Sequence, residues 1–256
     1  MLSPAGTGTA LLAAALLAGC GGPGRPDAAT TAASPPPSLS PSSSAPASPS
    51  ASHYICPVSD GGSCRGPLRA GTYTTTDFDP KITYTVPDGG WANWEDVPGN
   101  FNLTPPGQSQ EGINAGTSDY VGIYAVVAAP NGCNPGVAPG VGTDERSLAR
   151  WVSRNPALRV RKHAPAQVGG LSGDVFEVAM APTWKKACPY SNGTPVAPIL
   201  TGRSRSSLDH NISAGMVTRL YLLKNGDETL AVECTDVHGG KNLALNDEVL
   251  RSLRFG

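Results

Sequence analysis

The residues of this sequence best able to do chemistry are its cysteines, and the first of them stands apart. Cys20 closes Leu17-Ala18-Gly19-Cys20 at the end of an unbroken apolar run, residues 10–18. That run is far short of the roughly 20 residues needed to cross a bilayer, so it reads as a signal-peptide core and not a transmembrane helix. The small residues before the cysteine resemble a bacterial lipobox, where the thiol is alkylated by a diacylglyceryl group and the chain is cut just ahead of it. Two acyl chains of the palmitate type anchor a protein stably where one is marginal. Residues 1–19 are thus expected to be a lipoprotein signal peptide, with Cys20 carrying the lipid.

Five further cysteines follow, Cys56, Cys64, Cys133, Cys188 and Cys234. An odd number allows at most two disulfides and leaves one thiol. Cys56 and Cys64 flank a short Pro/Gly/Ser/Asp loop, so bridging them costs little chain entropy. Cys133 and Cys188 each follow an expected strand and precede a proline-containing loop, which makes them the next natural pair. Cys234 shares a strand face with Leu230 and Val232 and reads as a small buried hydrophobe. No CxxC or HxxxH pair occurs, and Asp77 with Asp79 are too few carboxylates for calcium, so no metal is expected.

Other chemistry finds little support. Gly170-Leu171-Ser172-Gly173 looks superficially like a nucleophile turn, but the elbow needs glycine two residues after the serine and Asp174 stands there. No Ser-x-x-Lys, His-Glu-x-x-His or phosphate-cradling glycine loop appears. His163 lies in the basic segment Arg159-Val160-Arg161-Lys162-His163, a solvated strand or loop whose sharper reading is contact with anionic headgroups or wall polymers. His210 and His238 read as polar loop residues. The candidate binding surface is aromatic: Trp91, Trp94 and Phe101 beside Asp88, Glu95 and Asp96, a combination suited to sugar, peptide or protein contacts. The competing reading packs Trp91 over a sheet edge and leaves only Trp94 partly exposed. No enzyme activity and no cofactor are expected.

These residues need a scaffold, and the composition constrains it. Residues 21–52 contain eight Pro, nine Ser and seven Ala with a single large aliphatic side chain, Leu39. Such a segment cannot bury enough surface to fold, and forms a disordered tether reaching between roughly 30 and 100 Å. Residues 53–256 carry 18 Lys plus Arg against 19 Asp plus Glu. A near-neutral domain of this kind presents no polyanion face, so nucleic acid is excluded as a partner. Its length is enough for one domain with its own core. Gly (31) and Pro (25) are plentiful while charged residues are 15% of the chain, which suits a loop-rich, β-rich extracytoplasmic fold.

The pattern of elements is mixed. Residues 71–75 and 81–87 read as strands, the second with Ile82, Tyr84 and Val86 alternating with polar residues. Residues 101–104 are a short strand, and 120–129 an apolar run of strand length. Thr143-Asp144-Glu145 supplies a cap and first-turn acids to a helix carrying Leu148, Trp151 and Val152, stopped by Asn155-Pro156; Trp151 reads as its core anchor. A tight turn at 169–173 leads into a strand over 174–180. Residues 216–223 and 229–235 form a hairpin around Asn225-Gly226. Asn246 or Asp247 caps a terminal helix with Val249, Leu250 and Leu253.

The stretches "FDPKITYTVPDGGW", "LARWVSRNPAL", "VGGLSG" and "EVLRSLRF" together make the chain resemble actinobacterial lipoproteins and, more distantly, the PsbP/LpqN-type extracytoplasmic sandwich. The resemblance covers most of residues 71–256 and leaves the Cys56–Cys64 region outside. It implies an α+β fold, an antiparallel β-sheet covered by a few helices, and a mostly non-enzymatic role in binding or assembly, with no catalytic residues to carry over. The expectation is a lipid-anchored protein on the extracytoplasmic face of the cell membrane: signal peptide (1–19), lipidated Cys20 and disordered linker (20–52), and one α+β domain (53–256). That domain acts as a non-catalytic binding or accessory module toward a cell-wall or envelope protein partner. The alternatives are a carrier of a lipid or other apolar ligand, or an envelope hydrolase.

Overall fold

The alternating runs on either side of Asn225-Gly226 form the hairpin on which the rest of the fold is built. In the computed structural model, which describes residues 53–54, 65–202 and 209–256, strands β13 (Val217–Asn225) and β14 (Glu228–Asp236) pair from Asn225↔Glu228 to Val217↔Asp236. Gly226 takes φ 63° in the two-residue turn, a conformation that glycine adopts at no steric cost. The segments expected to be signal peptide and linker, with Cys20, Cys56 and Cys64, lie outside the described residues.

Around this hairpin runs an eight-stranded antiparallel sheet. On one side β14 pairs with β7 (Tyr120–Tyr124), followed by β6 (Asn100–Thr104), β5 (Ala92–Val97) and β2 (Gly66–Pro67). On the other, β13 pairs with β10 (Leu171–Met180) and then with the edge strand β9 (Leu158–Val168). Both faces of this sheet are covered, which gives three layers. Leu230, Val232 and Cys234 of β14 point into one core with Val121, Ile123, Phe101 and Leu103. That core is closed by β3 (Gly71–Thr74) and β4 (Ile82–Val86), which belong to a four-stranded sheet with β1 (His53–Tyr54) and β15 (Arg254–Phe255), and by α3 (Asp247–Ser252). Tyr73 stacks on Tyr84 with centroids 5.6 Å apart, and Tyr84 meets Phe101 edge-on at 5.0 Å.

The opposite face packs a second core from Ala231, Leu220, Leu222, Phe176 and Val178. Its cover is α2 (Glu145–Arg154) together with a small sheet in the order β12 (Asp209–Ser213), β11 (Val196–Gly202), β8 (Val127–Ala128). The helix starts where the sequence places it, with Asp144 accepting from the Ser147 N–H at 3.0 Å. It buries Leu148, Ala149 and Val152, and each fully buried Leu or Val of this kind contributes about 1.5–3 kcal/mol. Among the described residues no helix is long and apolar enough to cross a membrane.

Some local expectations need correction. The apolar run 120–129 is two strands, because Val126 sits at φ 56° and turns the chain from the central sheet into the small one. The turn before β10 is confined to Gly169-Gly170, while Leu171 to Gly173 already pair with β9. A β-carbon on Gly169 would lie 2.4 Å from the Phe255 ring, so this glycine also lets the C-terminal strand dock. Helix α1 (Gln110–Ala115) and strands β5, β11 and β12 carry no periodicity that the sequence reading used. Cys133 and Cys188 are joined, with Cα atoms 5.0 Å apart, across 55 residues. A loop of that length closed by a disulfide is worth about 4 kcal/mol in the chain-entropy account.

Candidate functional site

Strand β14 is central and covered on both faces, so its side chains from Thr229 to Asp236 are all buried. On the face opposite Cys234 it nevertheless carries Glu233, with no exposed surface. A lone carboxylate there would be prohibitively costly, and the fold supplies partners from two layers. Tyr120 Oη donates to Oε1 at 2.6 Å and Thr235 Oγ1 donates to the same oxygen at 2.9 Å. Thr235 has then used its one proton, so Thr218 donates in the 2.8 Å contact between their hydroxyls. His210, from β12 in the small sheet, brings Nδ1 to 2.7 Å from Oε2, as an ion pair and not a well-aligned hydrogen bond. Its ring lies 4.3 Å from that of Tyr124.

The electrostatics follow from these contacts. Burial pushes the Glu233 carboxyl up, but its pairing with His210 and the hydrogen bonds from Tyr120 and Thr235 outweigh it and hold the acid below its ordinary value. Burial, and then the Glu233 charge, push the phenols of Tyr120 and Tyr124 well above theirs, so both stay protonated. Cys234, on the far face of the same strand, is the free cysteine among the described residues, and burial lifts its thiol to about 12. A thiol so raised is inert.

A polar row continues from Glu233 across the sheet through Gly122 and Asn102 to Glu95, paired strand to strand. Gly122 is required there, since a β-carbon would lie 1.9 Å from Tyr124 Oη. Asn100 Nδ2 donates to Glu95 at 2.6 Å, and Trp94 Nε1 donates to Thr104 Oγ1 at 2.9 Å. This arrangement binds two layers together. It offers a carboxylate, an imidazole and two phenols, and no activated nucleophile beside them: Ser172 is exposed on β10, separated from β14 by β13.

The sequence-derived site residues are thus dispersed. Trp91 and Phe101 are core residues, 3% and 0% exposed, so of the aromatic surface only Trp94 reaches solvent, and only in part. Their burial comes from the four-stranded sheet, which covers a face that the sequence leaves open. His163 is on the edge strand, stacked on Phe176 at 4.2 Å with Nε2 3.1 Å from Asp174. Arg161 of the same basic segment pairs with Glu177 at 3.4 Å. His210 belongs to the buried network and is no loop residue. The carboxylate of Asp96 accepts from the Asp77 and Phe78 N–H groups at 3.3 and 2.8 Å, and no group of three or more His, Cys, Asp or Glu fit for a metal occurs among the described residues.

An open recess lies elsewhere, along α2. It is a groove of about 340 Å³ with Gly142, Ser147, Arg150, Trp151, Arg154 and Asn155 in its walls. One wall is the helix flank. The other is the loop after Cys133, held by the disulfide and by Ala138 N–H donating to Ala129 O at 2.8 Å. Trp151 is half-buried and packs its inner edge on the second core, so it is both core anchor and groove wall. Arg146, Arg150 and Arg154 recur every fourth residue on the exposed side of the helix, where like charges repel by about 0.2–0.5 kcal/mol per pair. Spacing alone would have found this stripe.

Comparison with known proteins adds little. No protein-family model matches the chain, and no curated protein matches it. Among solved structures, the solution structure of cyanobacterial PsbP (CyanoP) from Synechocystis sp. PCC 6803 is 12% identical, with a TM-score of 0.37, over 76% of this chain and 98% of that one. A likeness at that score carries no argument here.

Proposed function

We propose that this chain is a cell-envelope lipoprotein, anchored through Cys20, whose folded domain is a non-catalytic binding or accessory module. The observation that carries the binding role is the groove along α2, a solvent-open recess with a fixed wall, an aromatic face and unpaired charge. The buried network supports a non-catalytic reading, because Glu233 spends its oxygens on Tyr120, Thr235 and His210. The Cys133–Cys188 disulfide suits an oxidising compartment outside the cytoplasm. Residues 21–52 supply the tether between membrane and domain, and the membrane and an envelope component are the partners.

A second reading, carriage of an apolar ligand, is favoured by one feature: Trp151 joins the groove to the second apolar core. Native mass spectrometry of the full-length Cys20→Ser chain, made without lipid and detergent, separates the two. A single mass matching the polypeptide supports the surface-binding module. A reproducible added mass in the lipid range contradicts it in favour of the carrier.

A further inference from the structure

We infer that the groove along α2 is a binding site for a phosphate ester, an inference that rests on the binding-module reading above. Arg150 and Arg154 line the recess four residues apart on one helix face, and both are exposed. Neither makes an ion pair with an acid among the described residues, while Arg161 and Arg219 do, with Glu177 and Asp247. Arg150 Nη2 instead donates to Ser147 Oγ at 3.0 Å, which holds the guanidinium along the groove wall. Asp144, whose charge interacts with Arg150, is committed to the helix cap: hydrogen bonds from the side chain and backbone of Ser147 lower its pKa, ahead of the smaller effect of Arg150.

Two guanidinium forks on one wall match a tetrahedral anion with several oxygens, which an arginine holds in two parallel hydrogen bonds. In the same recess the half-buried Trp151 offers an apolar surface for the organic part of an ester, which an inorganic ion lacks. A groove of about 340 Å³ is at the small end of ligand sites. It fits a sugar- or glycerol-sized phosphate ester and excludes a long polymer from full burial. The same chemistry is offered by a free phosphate ester and by a phospholipid headgroup, and a domain tethered to a membrane meets both.

The test is titration of the full-length Cys20→Ser protein with glycerol 3-phosphate by calorimetry and, separately, with vesicles containing phosphatidylglycerol by sedimentation. The double variant Arg150→Gln/Arg154→Gln is expected to bind about tenfold or more weakly. Arg146→Gln, on the same helix outside the groove, is expected to bind as the parent does. Each variant's thermal midpoint is measured alongside, and Arg154→Lys, which keeps the charge and loses the fork, should fall between parent and double variant. Binding of glycerol 3-phosphate with this pattern identifies a free ester as ligand. Binding of vesicles alone with the same pattern identifies a headgroup. Failure of both probes, or equal loss in Arg146→Gln, overturns the inference. If both probes fail while native mass spectrometry still finds a bare polypeptide, this inference falls and the binding-module reading stands.

Discussion

Glu233 is the residue on which the interior chemistry turns, and its behaviour has a definite sign. Its pKa is lower folded than unfolded, where an ordinary glutamate titrates near about 4.3. It therefore contributes stability that is present above that pH and lost as pH falls through the folded value. Glu233→Gln removes the charge that His210 faces, and breaking a buried pair of this kind costs about 3 kcal/mol. Urea unfolding at pH 7 should show that loss. Between pH 5 and 3 the variant's stability should fall less steeply than the parent's, and equal slopes would mean that Glu233 is not the group titrating. Nothing in the sequence marks this residue, because on β14 it alternates with Leu230, Val232 and Cys234 just as a solvent-facing residue would. Only the second layer, built from strands distant in sequence, makes its face an interior.

At the scale of elements, α2 links the second core to the proposed groove site. It is capped by Asp144, buries Leu148 and Val152, and turns Arg150 and Arg154 outward around Trp151. Asp144→Ala removes the acceptor for the Ser147 N–H and should destabilise the domain by about 1 kcal/mol, read as a drop in the thermal midpoint. An unchanged midpoint would mean that the cap adds nothing to the helix. This element was legible from sequence because its signals are local: a cap, a 3.6-residue period and a stop at Asn155-Pro156. The β13–β14 hairpin was legible for the same reason. Strands β11 and β12 were not, because they are held by each other and by β8, and their residues show no clean alternation. The basic segment 159–163 was found by charge and proved to be a sheet edge, where charged side chains, Pro165 and the bulge opposite Glu177/Val178 block further strand pairing.

For the whole molecule, three packed layers and a disulfide across 55 residues hold the described domain together, and the proposed reading sets it outside the cytoplasm, where such a bridge persists. The pairing of Cys133 with Cys188 could be reasoned from the strands before them. The three-layer arrangement could not, since near-neutral charge and mixed periodicity fit a two-layer sandwich equally well. The proposal that this domain works from a membrane surface depends on Cys20, and the intact mass of the protein recovered from the membrane fraction tests it most directly. The account predicts a chain that begins at Cys20 and carries a diacylglyceryl group on that thiol. A chain that retains residues 1–19, or one with an unmodified Cys20 in the soluble fraction, would contradict it.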